Sequence, residues 1–238
     1  MQVTSKKSSN ALVVMLKAPV AGRVKTRLVP PLKAEDAARL YSYFIEDIFN
    51  RISILTDVDI IAALGTDLKS VPRVLAKKVK RILPSGILVT PQKGKDLGER
   101  LANIFSLLFL KGYNKVAIIG TDSPDLPVEF IKKSFAMLIG IVNLVIGPAE
   151  DGGYYLIAMS KDCRQIFKDI PWSTNMVFEK TIEKAQKAGL KSDILPIWYD
   201  VDDINNLKTL WSNTRLNIPE TKTSKLLKKI FKDTPCPF

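Results

Sequence analysis

The chain has 238 residues, of which 46% are apolar and 25% charged, and its formal net charge is +12 at neutral pH. This length and apolar content allow one large folded domain and argue against general disorder. The chain has no histidine, which excludes Ser-His-Asp and Cys-His catalysis and histidine metal sites, so a metal site must use carboxylates, which favour Mg²⁺ or Mn²⁺.

Short apolar runs rich in β-branched residues alternate with longer amphipathic segments, which predicts an α/β fold with a mostly parallel sheet flanked by helices. The predicted strands are residues 11–16, 58–64, 86–90, 116–120, 142–147, 154–159 and 190–199. The predicted helices are residues 34–55, 68–80, 97–111, 128–139, 175–188 and 205–214, with a last basic helix over 224–231. We therefore predict one domain over 11–214, a disordered N-terminus over 1–10 and a basic, possibly helical C-terminal tail over 215–238.

The positive charge favours an anionic partner, and a non-catalytic nucleic-acid-binding protein is one alternative. Half of the net charge lies in the two termini, however, and no nucleic-acid-binding motif is recognisable. No apolar run approaches the ~20 residues of a membrane span. The first apolar run has only six residues, 11–16, which is too short for the core of a signal peptide and predicts a cytoplasmic protein.

Four cations follow the first predicted strand within eleven residues: Lys17, Arg23, Lys25 and Arg27. Ligands of open α/β sheets bind beyond the carboxyl ends of the strands, and Gly22 allows the backbone to approach a ligand closely. A di- or triphosphate would supply the anion that such a cluster needs. The alternative is a solvated basic loop.

Acidic residues follow two other predicted strands. Asp122 comes directly after the strand 116–120, while Asp125 is interpreted as a helix cap. Asp200 and Asp202 end the strand predicted over 190–199, where alternation would place both carboxylates on one face. Carboxylates this close require a cation. The alternatives are a turn at Asp122 and a helix cap at Asp202 or its neighbour.

A fourth segment joins two predicted strands and contains Glu150, Asp151, Gly152, Gly153 and Tyr154. Two adjacent glycines give a permissive backbone, and two carboxylates beside them favour a functional loop. A plain hairpin turn is the alternative.

Five motifs carry a resemblance to a known family. They are Lys-x-Pro-x-x-Gly-Arg-x-Lys-Thr-Arg-Leu from Lys17, Asp-Leu-Gly-Glu-Arg-Leu from Asp96, Gly-Thr-Asp-Ser-Pro-Asp-Leu-Pro from Gly120, Gly-Pro-Ala-Glu-Asp-Gly-Gly-Tyr-Tyr-Leu from Gly147, and Asp-Val-Asp from Asp200. In this order they resemble the bacterial radical-SAM/selenodomain-associated transferases, also described as arsenosugar-biosynthesis glycosyltransferases. That family belongs to the nucleotide-diphospho-sugar transferase (GT-A) superfamily, and the resemblance covers residues 11–211.

The resemblance implies a GT-A-like three-layer sandwich with a mostly parallel mixed sheet. It implies the following site residues: Lys17, Gly22, Arg23, Lys25, Arg27 and Arg100 on the nucleotide phosphates; Asp122, Asp200 and Asp202 on the metal; Gly152, Gly153 and Tyr154 in an acceptor loop, with Asp151 or Glu150 as the catalytic group. In one departure, Asn206 stands where relatives have a further acid.

The leading hypothesis is a metal-dependent glycosyltransferase that uses a nucleotide-activated donor and a small acceptor with Mg²⁺ or Mn²⁺. Nucleotidyl transfer to a phosphorylated small molecule fits the same residues. A non-catalytic nucleotide sensor is a further alternative. Pocket shape, which the sequence does not give, determines the base, sugar, acceptor and oligomeric state.

Overall fold

A computed structural model of the protein describes residues 8–65, 73–216 and 220–231. The strands are β1 Asn10–Leu16, β2 Asp59–Leu64, β3 Leu88–Pro91, β4 Lys115–Ile119, β5 Val142–Pro148, β6 Tyr154–Met159 and β7 Lys191–Ile194. The helices are α1 Ala34–Ile52, α2 Arg73–Ile82, α3 Leu97–Leu110, α4 Val128–Met137, α5 Val177–Lys187, α6 Ile204–Leu216 and α7 Lys222–Ile230. Short 3-10 helices cover Thr26–Leu28 and Arg164–Phe167.

The seven strands form one sheet in the order β3-β2-β1-β4-β6-β5-β7. Strand β6 runs antiparallel to both of its neighbours, and the other pairings are parallel. The chain adds β2 and β3 on one side of β1 and returns to place β4 on the other side. The carboxyl ends of β1 and β4 therefore flank the point where strand order reverses, which is where open α/β sheets bind ligands.

Both faces of the sheet are buried, which explains the continuous apolar runs of the strands. In β1, Leu12, Val14 and Leu16 join a core that includes residues of α1, α4, α6 and α7. Ala11 and Val13 point the other way, into a core that includes residues of α3 and α5. The prediction of a three-layer sandwich with a mostly parallel mixed sheet is confirmed.

The strand predicted over 190–199 is too long. Regular pairing covers only Lys191–Ile194, because Pro196 has no N–H to donate to a sheet ladder. Beyond it, Trp198 makes an isolated bridge with Ala149. The late acids therefore lie in an irregular segment rather than at the end of a strand, and the strand alternation expected for Asp200 and Asp202 does not apply.

The two chain ends are described in part. Residues 1–7 of the predicted N-terminal segment and 232–238 of the tail lie outside the described residues, as do residues 68–72 of the second predicted helix. Ser8 is described, and its Oγ donates to the carbonyl of Asp57 at 2.5 Å. Within the described ranges, no helix combines the length and apolar character that crossing a membrane requires.

Helix α7 packs on α1 through a buried carboxylate. Asp47 of α1 is only 6% exposed, and its two oxygens accept hydrogen bonds from the backbone N–H groups of Lys222 at 3.3 Å and Thr223 at 2.9 Å. These N–H groups are unpaired within the first turn of α7, where a negative charge is stabilising. Leu226 and Leu227 of α7 are buried in the core.

We expect Asp47→Ala to lower the free energy of unfolding by about 1–3 kcal/mol, because two buried N–H donors lose a charged acceptor. Urea unfolding monitored by circular dichroism measures this change. Lys222→Met is the control, since it removes only the ion pair of a half-exposed ammonium with Glu46, and such pairs contribute little. Equal stabilities of the wild type and Asp47→Ala would contradict the stabilising role of Asp47 at the start of α7.

Candidate active site

A buried hydroxyl network joins the ends of β1 and β4 to α1. The Tyr41 hydroxyl of α1 lies 2.7 Å from Thr121 Oγ1, which follows β4, and accepts a hydrogen bond from the backbone N–H of Lys17 at 3.0 Å. Burial is the main cause of the raised pKa of Tyr41, so this hydroxyl stays protonated. The network fixes the backbone from which Lys17 and Asp122 extend into the crevice.

The Lys25 side chain is buried against the acids, with 4% of its area exposed. Its Nζ pairs with Asp122 Oδ1, lies 3.2 Å from Asp202 Oδ1, and donates to the carbonyl of Val201 at 2.7 Å. Burial lowers the pKa of Lys25, but the attraction of Asp122 and Asp202 outweighs it, so the pKa is raised overall. The ammonium therefore stays charged and holds together two acids that lie far apart in the sequence.

The other cations of the loop face solvent. Lys17, Arg23 and Arg27 are exposed, and Arg27 Nη1 lies 3.6 Å from Asp202 Oδ2. Gly22 has a positive φ of 71° and open space at its Cβ position. The structure thus divides the predicted phosphate-binding set: Lys25 is held by the acids, while the other three cations remain accessible to an anion.

The late acidic segment is attached to the loop after β4. Ser123 Oγ donates to Asp200 Oδ1 at 2.6 Å, and the Val201 N–H donates to the carbonyl of Asp122 at 2.8 Å. Burial, with contributions from the carboxylates of Asp122, Asp151 and Asp202, raises the pKa of Asp200 to about 7, although the Ser123 hydrogen bond lowers it. Asp200 therefore belongs to the same electrostatic cluster but contacts Ser123.

The pKa of Asp200 predicts a pH-dependent effect of Asp200→Asn. A carboxyl with a native pKa near 7 and an unfolded pKa of 3.8 binds more protons when folded, so its contribution to stability falls as pH rises between those values. Asparagine has no carboxyl group to ionise, so the variant does not lose this stability as the pH rises. We expect the difference in melting temperature, Asp200→Asn minus wild type, to become more positive from pH 4 to pH 8. A difference that is constant with pH would contradict this.

Asp125 does not cap a helix, contrary to the prediction. Pro127 occupies the N-cap position of α4, and Asp125 Oδ2 instead accepts a hydrogen bond from the Tyr199 hydroxyl. Asn213 Nδ2 of α6 donates to that same hydroxyl at 3.1 Å. The three side chains clamp the segment that carries the late acids against the loop after β4 and α6.

The helix-cap alternative holds for the residue next to Asp202. Asp203 Oδ1 accepts the N–H groups of Asn205 at 2.8 Å and Asn206 at 3.0 Å, which caps the first turn of α6. With its amide nitrogen directed toward the acids, Asn206 donates to Asp203 Oδ1 and to the Asp200 carbonyl, each at 3.2 Å. Asn206 thus supports the cap, and Asp202 remains free to face Lys25.

The loop between β5 and β6 approaches the same cluster. Asp151 Oδ1 accepts the Gly153 N–H at 2.8 Å, and the Asp151 charge contributes to the raised pKa of Asp200. Glu150 is exposed, and its N–H donates to the Trp198 carbonyl at 3.1 Å. The two predicted acceptor-side acids are therefore anchored beside the segment that carries Asp200.

Two further predicted residues have local structural partners. Tyr154 is half-buried with its ring edge-on to Trp172, and burial of its hydroxyl raises its pKa. Arg100 Nε donates to the carbonyl of Gly94 at 3.3 Å, which orders the loop before α3. Their predicted roles in the acceptor loop and on phosphate remain predictions.

Comparison with known proteins assigns the family. The model of a family described as "Uncharacterized protein conserved in bacteria (DUF2064)" matches residues 60–174. A protein of solved structure from Desulfovibrio desulfuricans, provisionally assigned as a nucleotide-diphospho-sugar transferase, is 33% identical, with 93% of this chain and 95% of that chain covered and a TM-score of 0.84. The chain belongs to the same family as this Desulfovibrio protein. No protein with curated annotation matches it.

More distant structures share the fold alone. A cytidylyltransferase from Leptospira borgpetersenii is 12% identical, with 95% of each chain covered and a TM-score of 0.55. The 4-diphosphocytidyl-2C-methyl-D-erythritol synthase from Anaerococcus prevotii is 10% identical, with 87% of this chain and 96% of that chain covered and a TM-score of 0.54. The predictions of a GT-A-like fold and of a transferase enzyme are confirmed for this chain.

Asp122 and Asp202 fit a divalent metal of the kind that the fold family implies. Their carboxylate oxygens converge on one cationic atom, Lys25 Nζ, and carboxylate oxygens suit Mg²⁺ or Mn²⁺. Within the described ranges, no group of three or more potential ligands could hold a metal by itself. A metal at this position would need further oxygen ligands besides these two carboxylates.

Sequence reasoning gave no role to several residues that organise the site. Tyr41 lies in the middle of a predicted amphipathic helix, where a tyrosine reads as core. Ser123 lies inside a quoted motif and Tyr199 directly precedes another, but only the acids beside them were assigned roles. The signal that could have identified them is their position next to predicted ligands in two segments that must meet at one sheet edge.

Proposed function

We propose that this protein transfers a glycosyl group from a nucleotide-activated donor to a small acceptor with the help of Mg²⁺ or Mn²⁺. The observation that carries the proposal is the convergence of Asp122 and Asp202 on one cationic position at the strand-order reversal, beside the exposed Arg23 and Arg27. Carboxylates and guanidinium groups side by side suit a metal-bound diphosphate.

The charge of each residue determines its proposed role, with the acids on the metal and the cations on the phosphates. Asp122 and Asp202 would hold the metal, which when bound neutralises phosphate charge and stabilises the leaving group. Arg23 and Arg27 bind phosphate oxygens, and Arg can do so bidentately. Lys17 extends toward the same anion from the end of β1. These contacts stabilise the charge that develops on the leaving nucleoside diphosphate.

Asp151 orients or deprotonates the acceptor hydroxyl. Its Oδ1 is fixed by the Gly153 N–H, and it lies close enough to Asp200 to raise that pKa. These two observations support a carboxylate held close to the acidic cluster, where the acceptor would bind. General-base assistance of this kind contributes about 10²–10⁴-fold to a rate.

Nucleotidyl transfer is the second candidate. It would use the same phosphate-binding and metal-binding residues. The narrower resemblance to the radical-SAM/selenodomain-associated glycosyltransferases favours glycosyl transfer.

The product distinguishes the two reactions. The protein is incubated with Mn²⁺ and a panel of UDP-, GDP-, ADP- and CMP-sugars or the four nucleoside triphosphates, with water and simple polyols or sugar phosphates as acceptors. We expect release of free nucleotide from one nucleotide sugar. Release of pyrophosphate from one triphosphate would indicate nucleotidyl transfer instead. Neither product above the level of an Asp122→Asn control would contradict the proposal.

A further inference from the structure

The ammonium of Lys25 has three N–H donors, and each has a protein acceptor. These acceptors are Asp122 Oδ1, Asp202 Oδ1 and the carbonyl of Val201. The Phe44 ring lies 5.7 Å from the ammonium. A phosphate can therefore bind Lys25 only if the ammonium gives up one of these partners.

Lys25 also occupies the position that a metal needs. The two carboxylates that fit the metal contact the same Nζ atom, so a divalent ion held by both must take the place of the ammonium. Two cations cannot share this small space without strong repulsion. In the ligand-free site, a cation of the chain itself thus offsets part of the negative charge of the two acids.

We propose that Lys25 is an internal counter-ion of the acid pair, that a metal can bind both acids only when the ammonium leaves them, and that a donor phosphate favours this by accepting the ammonium. This inference rests on the proposed function. It assigns Lys25 a positioning role that couples metal binding to donor binding. The metal binds weakly alone, and the donor phosphate strengthens metal binding because it accepts the Lys25 ammonium and leaves both carboxylates to the metal. The binding of each then strengthens the binding of the other.

The backbone at Lys25 is consistent with a segment that can rearrange. Lys25 has a left-handed conformation with φ 48° and ψ 40°, which non-glycine residues seldom adopt. It is held there by the contacts of its ammonium and precedes the short helix Thr26–Leu28. Gly22, with its positive φ and open surroundings, lies three residues before it. Loss of the ion pairs removes the contacts that maintain this conformation.

The test measures binding of Mn²⁺ alone, by calorimetry and by electron paramagnetic resonance of free Mn²⁺, with no nucleotide present. We expect Lys25→Met to bind Mn²⁺ at least about tenfold more tightly than the wild type, because the competing cation is gone. Lys17→Met is the matched control: it removes the same charge from an exposed position of the same loop and should leave the affinity near the wild-type value. Equal affinities of the wild type and Lys25→Met would overturn the proposal.

A second measurement uses the wild type and does not depend on a folded variant. Acetylation of lysines by acetic anhydride, followed by mass spectrometry, reports how accessible each amine is. We expect saturating Mn²⁺ to increase the labelling of Lys25 but not of Lys17. Unchanged labelling of Lys25 would overturn the proposal. Neither experiment uses a nucleotide, so both can be interpreted even if the protein binds no nucleotide-activated donor. If Lys25 and Mn²⁺ occupied the site together, the Lys25 proposal would fail but the proposed transfer reaction would not.

Discussion

Asp122→Asn is expected to reduce donor-dependent transfer by roughly 10²–10³-fold, the effect of removing one strong charge-stabilising group from an active site. Asparagine keeps the size of the side chain but removes the negative charge that pairs with Lys25 and fits the metal. The folded structure should tolerate the change, since Asp202 still neutralises Lys25 and the Asp122 side chain is 48% exposed. The rate of free-nucleotide release at saturating donor measures the effect.

Asp203→Asn is the matched control for Asp122→Asn. It removes one carboxylate charge from the same acidic segment, but Asp203 caps α6 and does not contact Lys25. Asparagine is also a good N-cap, so both stability and activity should stay close to wild type. If Asp122→Asn retained the wild-type rate and metal dependence, Asp122 would not be the acid on which transfer depends.

Gly152→Ala is expected to destabilise the protein by about 2–4 kcal/mol, from overpacking and left-handed strain together. Gly152 has a φ of +86°, and an added Cβ would overlap the backbone of Asn175, coming within 2.6 Å of its Cα. The Phe178 N–H also donates to the Gly152 carbonyl at 2.8 Å, so the loop cannot shift without disturbing the start of α5. Urea unfolding measures the loss.

Gly140→Ala separates the two causes. Gly140 also has a positive φ, +58°, but a Cβ there meets no atom within 4 Å. Its expected cost is about 1–2 kcal/mol, from the left-handed backbone alone. A cost for Gly152→Ala no larger than that for Gly140→Ala would show that the contact with Asn175 yields easily, and that the loop carrying Asp151 is not firmly fixed.

The fold could be predicted because its strands are buried on both faces. Residues such as Leu12 and Val13 face opposite cores, so β1 reads as an uninterrupted apolar run, and the amphipathic segments between such runs read as helices. The strand over 190–199 was overestimated because Leu195, Trp198 and Tyr199 are apolar or aromatic. Leu195 and Tyr199 are buried and Trp198 packs against the core, although regular strand pairing ends at Ile194.

The candidate site could be located but not assembled from the sequence. Asp122 and the cationic loop each follow a predicted parallel strand, which predicted that they would share one edge of the sheet. Nothing in the local pattern shows that Lys25 turns inward while Arg23 and Arg27 stay exposed, because that depends on a left-handed backbone and on acids far along the chain. The pairing of Asp125 with Tyr199 was missed for the same reason: it depends on a tertiary contact, while helix capping is a local preference.

The most direct test of the central claim is a thermal-shift screen of wild-type protein against nucleotides and nucleotide sugars, with and without Mg²⁺ or Mn²⁺. A ligand at about 100 times its dissociation constant stabilises the folded state by about 2.7 kcal/mol, which is readily measured. We predict that one nucleotide sugar stabilises the protein and that the metal increases the shift. The absence of a shift with every nucleotide, in a sample that melts cooperatively, would contradict the assignment of this site to a nucleotide-activated donor.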